Sequence, residues 1–512
     1  LKFVIDKPYR VLLPEGLDLE RVKTFLTFRD KSISFQLAQL KRNKHLAMRW
    51  GQEYYEQRLE ELKRQQNRCL LKEDGELLYT YSGLAEDLSG FFGLPAENQI
   101  QYPEPETIPW AKVPDKQMRP YQVQMVEKLL EVRHGAVSCG TGLGKSLSAL
   151  HLVKRLGLPT LVVTPSVSIA SQMYEMFKEA FGTKYVGMFG DGKKQFKKRI
   201  VVGIAQSLTR LEPGDEAYEV LASKSVLLAD ESHLLPATTF EKVFVGLGAE
   251  APYRFSFSAT QMRTDGAELL LKGLIGPIVF NMTVQDGVDQ GYLARPIFKM
   301  IQVSSSSSFR SNDANKMDRI HLLENPNVVA KAASIANHAA SQGKGVLILI
   351  DEFSQAALLE RYLVFPREFA HGGLPTLSPR DRARQKRNPN VVRDIKDILP
   401  EKFWKSDVVD QVRRFNSGDF KILIGTSAIG LGTDILPAEV LIIMRKGTSD
   451  TKFIQSVGRG TRRIPGKDRC LVFDFDVVNI DVVHRHAKVR ASIYDGIMPP
   501  VQYVDMTEKV YV

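Results

Sequence analysis

The chain has 512 residues, 43% of them hydrophobic and 25% charged, with a formal net charge of +11. This is the composition of a globular protein with material for more than one core, and its length suggests about three domains. The basic balance favours a polyanionic partner but does not choose between DNA, RNA and a membrane surface. Cys69, Cys139 and Cys470 are too far apart for a disulfide framework or a metal-ligand set and fit a reducing compartment. No apolar run reaches the about 18–20 residues of a membrane span. Leu1–Gly16 mixes charges and prolines into its apolar segments, unlike a signal peptide. The chain starts at Leu, so residues are expected upstream of it, and the reading is of a soluble intracellular protein.

In chain order, residues 1 to about 105 combine short strand-like runs, Lys2–Ile5 and Tyr9–Leu13, with a charged helix, Gln52–Arg68. Tyr55, Leu59 and Leu62 give that helix one narrow apolar face. Gln101–Pro114, with Pro103, Pro105, Pro109 and Pro114 after an upstream Pro95, reads as a linker. From Gln117 apolar strands alternate with helices. The strands are Gly135–Cys139, Thr160–Thr164, Arg199–Ile204, Ser225–Asp230 and Tyr253–Ser258, separated by helices such as Lys145–Leu156 and Ser168–Ala180. Apolar strands between helices predict a parallel sheet covered on both faces.

The alternation resumes at Gly345–Asp351, Phe369–His371, Lys421–Thr426, Glu439–Arg445 and Cys470–Phe475, a second sheet of the same kind. Between the two lie Gln285–Pro296 and the serine run Ser304–Ser308, which reads with the polar residues to Lys316 as a flexible surface loop. Leu374–Ser406, carrying Arg380, Arg382, Arg384, Lys386 and Arg387, reads as a long surface insertion. The domains are therefore expected at 1–105, 106–290 and 291–512.

Three elements carry chemistry. Cys139-Gly140-Thr141-Gly142-Leu143-Gly144-Lys145-Ser146 follows a strand and opens a helix, the setting of a phosphate-binding loop. Its glycines turn backbone N–H groups toward phosphates, Lys145 reaches the β/γ oxygens and Ser146 offers a hydroxyl to Mg²⁺. The strict pattern has Gly where Cys139 stands. Asp230-Glu231-Ser232-His233 ends an apolar strand, so Asp230 can hold Mg²⁺ and Glu231 can orient an attacking water. Gln455-Ser456-Val457-Gly458-Arg459-Gly460-Thr461-Arg462 places Arg459 and Arg462 three residues apart, which predicts one helix face aimed at one phosphate. The two halves of this ATP site lie more than 300 residues apart, which predicts a nucleotide held between two domains and hydrolysis that moves them. Lys193, Lys194, Lys197, Lys198 and Arg199 form a further basic group that reads as a solvated charge run.

In this order the motifs resemble those of superfamily-2 helicases, over roughly residues 117–475. Arg119 and Gln122 look like the adenine-reading element. Cys139–Ser146 is similar to motif I, in which the first Gly is often replaced. Thr164 and Ser166 look like motif Ia, and Gln206 like a later strand-binding element. Asp230–His233 resembles motif II in its DExH form, and Ser258-Ala259-Thr260 motif III. Thr426, Gly432 and Asp434 fit motif V, and Gln455, Gly458, Arg459 and Arg462 motif VI.

The resemblance is greatest to the XPB/UvsW-like group, especially phage recombination helicases. His484–Arg490 with Tyr494 is similar to the basic helix after motif VI there, and the N-terminal block to a small domain ahead of the motor. What the resemblance implies is an α/β fold of two tandem RecA-like motor domains behind a small α+β domain. It implies ATP and Mg²⁺, with catalysis by Lys145, Asp230, Glu231, Gln455, Arg459 and Arg462. ATP binding would use Arg119, Gln122, Gly140, Thr141, Gly142, Gly144, Lys145, Ser146, Gly432 and Asp434. Coupling would run through His233, Ser258 and Thr260, and strand contacts would come from Thr164, Ser166, Gln206 and Thr426. The implied partner is single-stranded, forked or junction DNA, acted on by strand separation or branch migration, without a membrane. The implied location is the cytoplasm or nucleoid, or the host cytoplasm for a phage-encoded protein. An RNA helicase on the same fold and a duplex-DNA translocase that separates no strands stay open.

Overall fold

Strands Thr160–Thr164, Ile200–Ile204 and Val226–Asp230 are buried along their whole length, as apolar runs are when helices cover both faces of a sheet. The computed structural model describes residues 1–512 except 114–117, 236, 260–265, 376–393, 431–434 and 509–512. The described residues form two units, Leu1–Cys139 with Gly144–Met282, and Thr283–Val512 with Gly140–Leu143.

The first unit holds an eight-stranded sheet among the described residues. Its order is Lys193–Lys194, Val186–Gly190, Ile200–Ile204, Thr160–Thr164, Val226–Asp230, Tyr253–Ser258, His134–Cys139 and Ile278–Met282. All pairs are parallel except the short first ribbon. Val186–Gly190 and Ile278–Met282 were not anticipated from sequence. Glycines bracket the first, and the second is a half-exposed edge whose pattern is not a continuous apolar run.

The N-terminal residues add a five-stranded sheet in which Phe3–Lys7 pairs antiparallel with Arg10–Leu12 and parallel with Ala96–Asn98. Its core residues Phe3, Val11, Leu70 and Tyr81 are continuous with Leu270 and Leu274 of the helix Glu268–Ile275. Lys272 Nζ also pairs with Asp87 Oδ2 at 2.6 Å, and Glu241 meets both Arg68 and the Tyr81 hydroxyl. The proline-rich stretch does not hang free. Glu106 N donates to the Leu156 carbonyl (2.8 Å), and Trp110 stacks on Tyr185 with ring centroids 3.6 Å apart.

Among its described residues the second unit holds a seven-stranded parallel sheet ordered Arg367–Ala370, Ile422–Gly425, Gly345–Ile350, Ala438–Met444, Arg469–Val477, Arg295–Val303 and Gln502–Asp505. Two elements in the stretch between the sheets were not anticipated from sequence. Val284–Asp289 is a helix capped by Thr283, and Arg295–Val303 is an interior strand paired on both sides. Ser305, within the serine run, is buried, with its hydroxyl 2.8 Å from His321 Nδ1 and its N–H donating to Asn479 Oδ1 (2.9 Å).

The arginine-rich part of the insertion lies outside the described residues. The C-terminal part of the insertion is not purely surface, because Leu399 and Phe403 enter the core of the second sheet. His371, just past the strand Arg367–Ala370, is buried, with Nε2 donating to the Phe403 carbonyl (2.9 Å) while Nδ1 accepts from Gly373 N (3.1 Å).

The basic tail forms the helix Asp481–Ile497, but its key cation does not face solvent. Arg490 is fully buried, with Nε donating to Asp474 Oδ2 (2.8 Å) and Nη2 to Asp474 Oδ1 (3.0 Å) and the Phe475 carbonyl (2.8 Å). The Tyr494 hydroxyl donates to the same carboxylate at 2.6 Å. Removing one partner of such a pair leaves a buried charge without compensation. Arg490→Ala is expected to cost about 3–5 kcal/mol, measured by urea denaturation of the full chain, and the Arg490→Met/Asp474→Asn double variant to recover much of that loss.

Candidate phosphate-binding site

Parallel pairing sends the C-terminal end of every strand but Lys193–Lys194 to one edge of the first sheet. Ser258 lies opposite Ser138, Asp230 opposite Phe257 and Ile204 opposite Thr164. The loop after Cys139, the Asp230 tip, Ser258, Thr164 and the segment carrying Gln206 therefore share that edge, where ligands bind open α/β sheets.

The helix Lys145–Leu156 begins after Gly144, whose φ of +79° lies in the left-handed region. The backbone favours glycine there, and a Cβ would stand 2.4 Å from Gln122 Nε2 and displace that amide. Gln122 is buried and ties the loop to the helix Pro120–Val132: its Oε1 accepts from Arg119 N (2.9 Å) and its Nε2 donates to the Gly144 carbonyl (3.3 Å). Arg119 itself donates from Nη1 to the Tyr121 hydroxyl (3.2 Å). Lys145 is buried, donates to the Cys139 carbonyl at 3.0 Å and stands 3.8 Å from Glu231 Oε1. Cys139 contributes its carbonyl, not its thiol, which burial pushes up to about 11.

Asp230 is buried, and burial, with Glu231 beside it, pushes its carboxyl up to about 7 against the pull of Lys145. Glu231 adopts φ +48°, a conformation costly for a non-glycine residue and frequent at functional sites. Its N–H donates to the Phe257 carbonyl (2.8 Å), which pins the turn. Ser256 Oγ donates to Ser232 Oγ (2.6 Å) beneath it. His233 Nδ1 hydrogen-bonds Ser258 Oγ and lies 3.4 Å from Glu231 Oε2, so one imidazole links the acidic tip to the next strand end. Two carboxylates crowded against one ammonium form a donor set that fits a divalent cation, whose charge would relieve the penalty on ionised Asp230.

In the second unit the helix Asp450–Gly460 carries Gln455, half-buried, and Arg459 in its last turn. The expectation that Arg459 and Arg462 share a helix face is corrected. The helix ends at Gly460, Thr461 Oγ1 donates to the Gly458 carbonyl (3.2 Å), and Arg462 lies beyond, bridged to Leu293. Burial lowers the Arg462 guanidinium to about 10. Gly458 lies against the loop residue Thr141 of the same unit, where a Cβ would stand 2.3 Å from the threonine Cβ.

A network not anticipated from sequence fixes this helix. Asp351 Oδ2 accepts from Lys452 Nζ (2.7 Å) and Lys446 N (2.9 Å), and Arg445 Nη1 donates to Ser456 Oγ (3.0 Å). Asp351 follows the strand Gly345–Ile350 as Asp230 ends its own strand, and that repeat of the pattern was the available signal.

The residues expected to touch a strand take varied places. Thr164 is buried and its hydroxyl donates to the Gly203 carbonyl (3.1 Å), so that hydroxyl serves the sheet. Ser166 caps the helix Val167–Phe181 by accepting from Ile169 N (3.4 Å). Gln206 is exposed, and Thr426 Oγ1 accepts from Ala428 N (3.2 Å). Thr260, Gly432 and Asp434 lie outside the described residues. Among the described residues no helix is long and apolar enough to cross a membrane, and no His/Cys/Asp/Glu cluster could hold a metal alone.

Residues 115–263 match the family described as type III restriction enzyme, res subunit, and residues 402–463 match the helicase conserved C-terminal domain. The DNA 3′-5′ translocase XPB2 of Sulfurisphaera tokodaii is 24% identical over 75% of this chain and 88% of its own length. A protein of Acanthamoeba polyphaga mimivirus, provisionally named an ATP-dependent RNA helicase, is 23% identical over 83% of this chain and 77% of its own. Among solved structures, the DNA-bound type ISP restriction-modification enzyme LlaBIII is similar with a TM-score of 0.51 and 12% identity, over 76% of this chain and 31% of that one.

The Asp230 carboxyl makes a pH signature. Its folded pKa lies above its ordinary value of 3.8, so the fold keeps a proton that the unfolded chain releases. On this group's account stability falls as pH rises from about 4 to about 7 and is level above that. Asp230→Asn is expected to gain stability over the parent more at pH 8 than at pH 5, read by urea denaturation without nucleotide.

Proposed function

We propose that this chain, which belongs to the superfamily-2 DExH helicases of the XPB/UvsW-like group, couples ATP hydrolysis to movement along DNA and to strand separation or branch migration at forks and junctions. The observation that carries the reading is the meeting of Lys145, Asp230 and Glu231 at one sheet edge, with His233 joined from there to Ser258.

In this reading Lys145 exchanges the Cys139 carbonyl for the β/γ-phosphate oxygens, and the loop N–H groups take the remaining phosphate charge. A magnesium ion arriving with ATP would be held by Ser146 and Asp230 and would supply positive charge at the phosphates. Glu231, held in its left-handed turn, orients the attacking water. Gln455, Arg459 and Arg462 act on the same nucleotide. The arginines stabilise the charge of the transition state, and a poorly solvated guanidinium such as Arg462 does so more strongly than one in bulk water. His233 reports the state of Glu231 to Ser258, which precedes the segment expected to sense the bound strand. Contacts from Ser166, Gln206 and the backbone near Thr164 and Thr426 would follow phosphates rather than bases, which suits a motor that steps past any sequence. We extend to this chain the 3′-5′ direction that the XPB2 relative carries in its name.

The test compares ATPase stimulation by single-stranded, duplex, forked and four-way DNA and by RNA, with strand displacement measured in parallel on 3′-tailed and 5′-tailed substrates. DNA stimulation with displacement from a 3′ tail is the expected result; stimulation by RNA alone overturns the DNA reading. Lys145→Ala abolishes hydrolysis. Arg462→Ala keeps ATP binding but slows turnover by about 10³-fold or more, and normal turnover in that variant removes its proposed role.

A further inference from the structure

The N-terminal block contains a feature that the motor chemistry does not use. Thr27–Arg29 and Asn67–Cys69 form an antiparallel two-stranded ribbon, and between them the chain runs out along the helix Lys31–Arg42 and back along Gln52–Gln66. Twelve helical residues extend about 18 Å. Of the described residues on the two helices, Leu37, Tyr55 and Leu62 are buried.

The turn between them is built from apolar and basic side chains left in solvent. Trp50 is 81% exposed, Tyr54 49% and Met48 39%. A lone exposed apolar residue needs no explanation, but two exposed aromatic rings four residues apart at the end of an arm, with no ring contact among the described residues, do. Lys41, Arg42, Lys44 and Arg49 surround the turn and are all exposed. From Lys31 to Gln52 the sequence contains no Asp or Glu. Cations beside free aromatic faces have the chemistry of a surface for single-stranded nucleic acid, in which bases stack on rings and phosphates meet ammonium and guanidinium groups. An acidic peptide would use the cations but leave the rings without purpose.

The arm is also rooted beside the motor within the same unit. Arg68, at its base, pairs with Glu241 on the helix Ala237–Val245 that comes after the Asp230–His233 tip, and Lys72 Nζ lies 3.3 Å from the same carboxylate. Gly266, a few residues past Ser258, packs on the Arg29 carbonyl, where a Cβ would stand 3.0 Å from the oxygen.

We infer that the turn bearing Arg49, Trp50 and Tyr54 is a nucleic-acid contact that stacks on the unpaired bases of a DNA fork and keeps the separated strands apart. This rests on the proposed function and adds the element that meets the fork.

The test uses the full chain with synthetic forked DNA and oligo-dT. Trp110 is stacked on Tyr185 and Trp404 donates its indole N–H to the Leu399 carbonyl, both half-buried, so Trp50 is the exposed one of the three tryptophans. Forked DNA is expected to quench the indole fluorescence of the parent but not of Trp50→Phe. Trp50→Ala/Tyr54→Ala is expected to bind the fork about tenfold more weakly and to lose strand separation, while oligo-dT-stimulated ATPase stays within about twofold. Arg49→Gln/Lys44→Gln flattens the slope of log binding against log salt by about 2. Unchanged fluorescence together with unchanged fork binding and separation in the aromatic variant overturns the inference. Absence of DNA-stimulated ATPase in the parent overturns the proposed function instead, and the fluorescence titration still decides the arm.

Discussion

The parallel register of the first sheet is the constraint on which the site depends. Each parallel strand delivers its last residue to the same edge, so groups far apart in sequence arrive side by side. Asp230 reaches Lys145 because Val226–Asp230 lies two strands from His134–Cys139, with Tyr253–Ser258 between. The middle strand is also the one whose terminal Ser258 takes the His233 bond. Strand order alone thus brings three strand ends together. Slipping one strand by a residue would turn its side chains to the opposite face and separate the groups.

Charge then explains why these ends are arranged as they are. Lys145 is already turned toward Glu231 and a backbone carbonyl, and Asp230 holds its proton more tightly than a free carboxyl would. The protein by itself has more negative charge here than it can comfortably ionise, and more donors than it has phosphates to meet. In the proposed function, nucleotide arriving with its cation would resolve both imbalances together, which would favour the pair over either one alone.

Much of this was legible from sequence because it rests on short-range pattern. Thr160–Thr164, Tyr253–Ser258 and the helix Lys145–Leu156 were readable residue for residue, since a fully buried strand and a helix opened by glycine leave strong local signatures. The edge strand Ile278–Met282 and the interior strand Arg295–Val303 were not. The first lacks an unbroken apolar run, and Arg295, Pro296 and Lys299 interrupt the second although its neighbours bury it. Arg462 was misplaced because a three-residue spacing says nothing about where a helix stops. The stop comes from Thr461 and from Ala294 N donating to the Thr461 carbonyl (2.8 Å), a contact with a residue 167 positions earlier. The basic tail illustrates the same limit: composition shows that Arg490 is charged, and only packing shows that it is buried.

The proline-rich stretch ahead of the first sheet carries a consequence of a different kind. Residues 101–113 are pinned at Leu156 and Tyr185, and by an ion pair of Glu106 with Arg199, while the N-terminal sheet shares its core with the helix Glu268–Ile275. A peptide bond cut in that stretch would leave the two pieces held together by non-covalent contacts alone. The N-terminal block is thus joined to its neighbour more as a subunit is joined within an oligomer than as a bead on a string. Exchange of this block between related chains would require its apolar face, and not merely its tether, to be inherited with it.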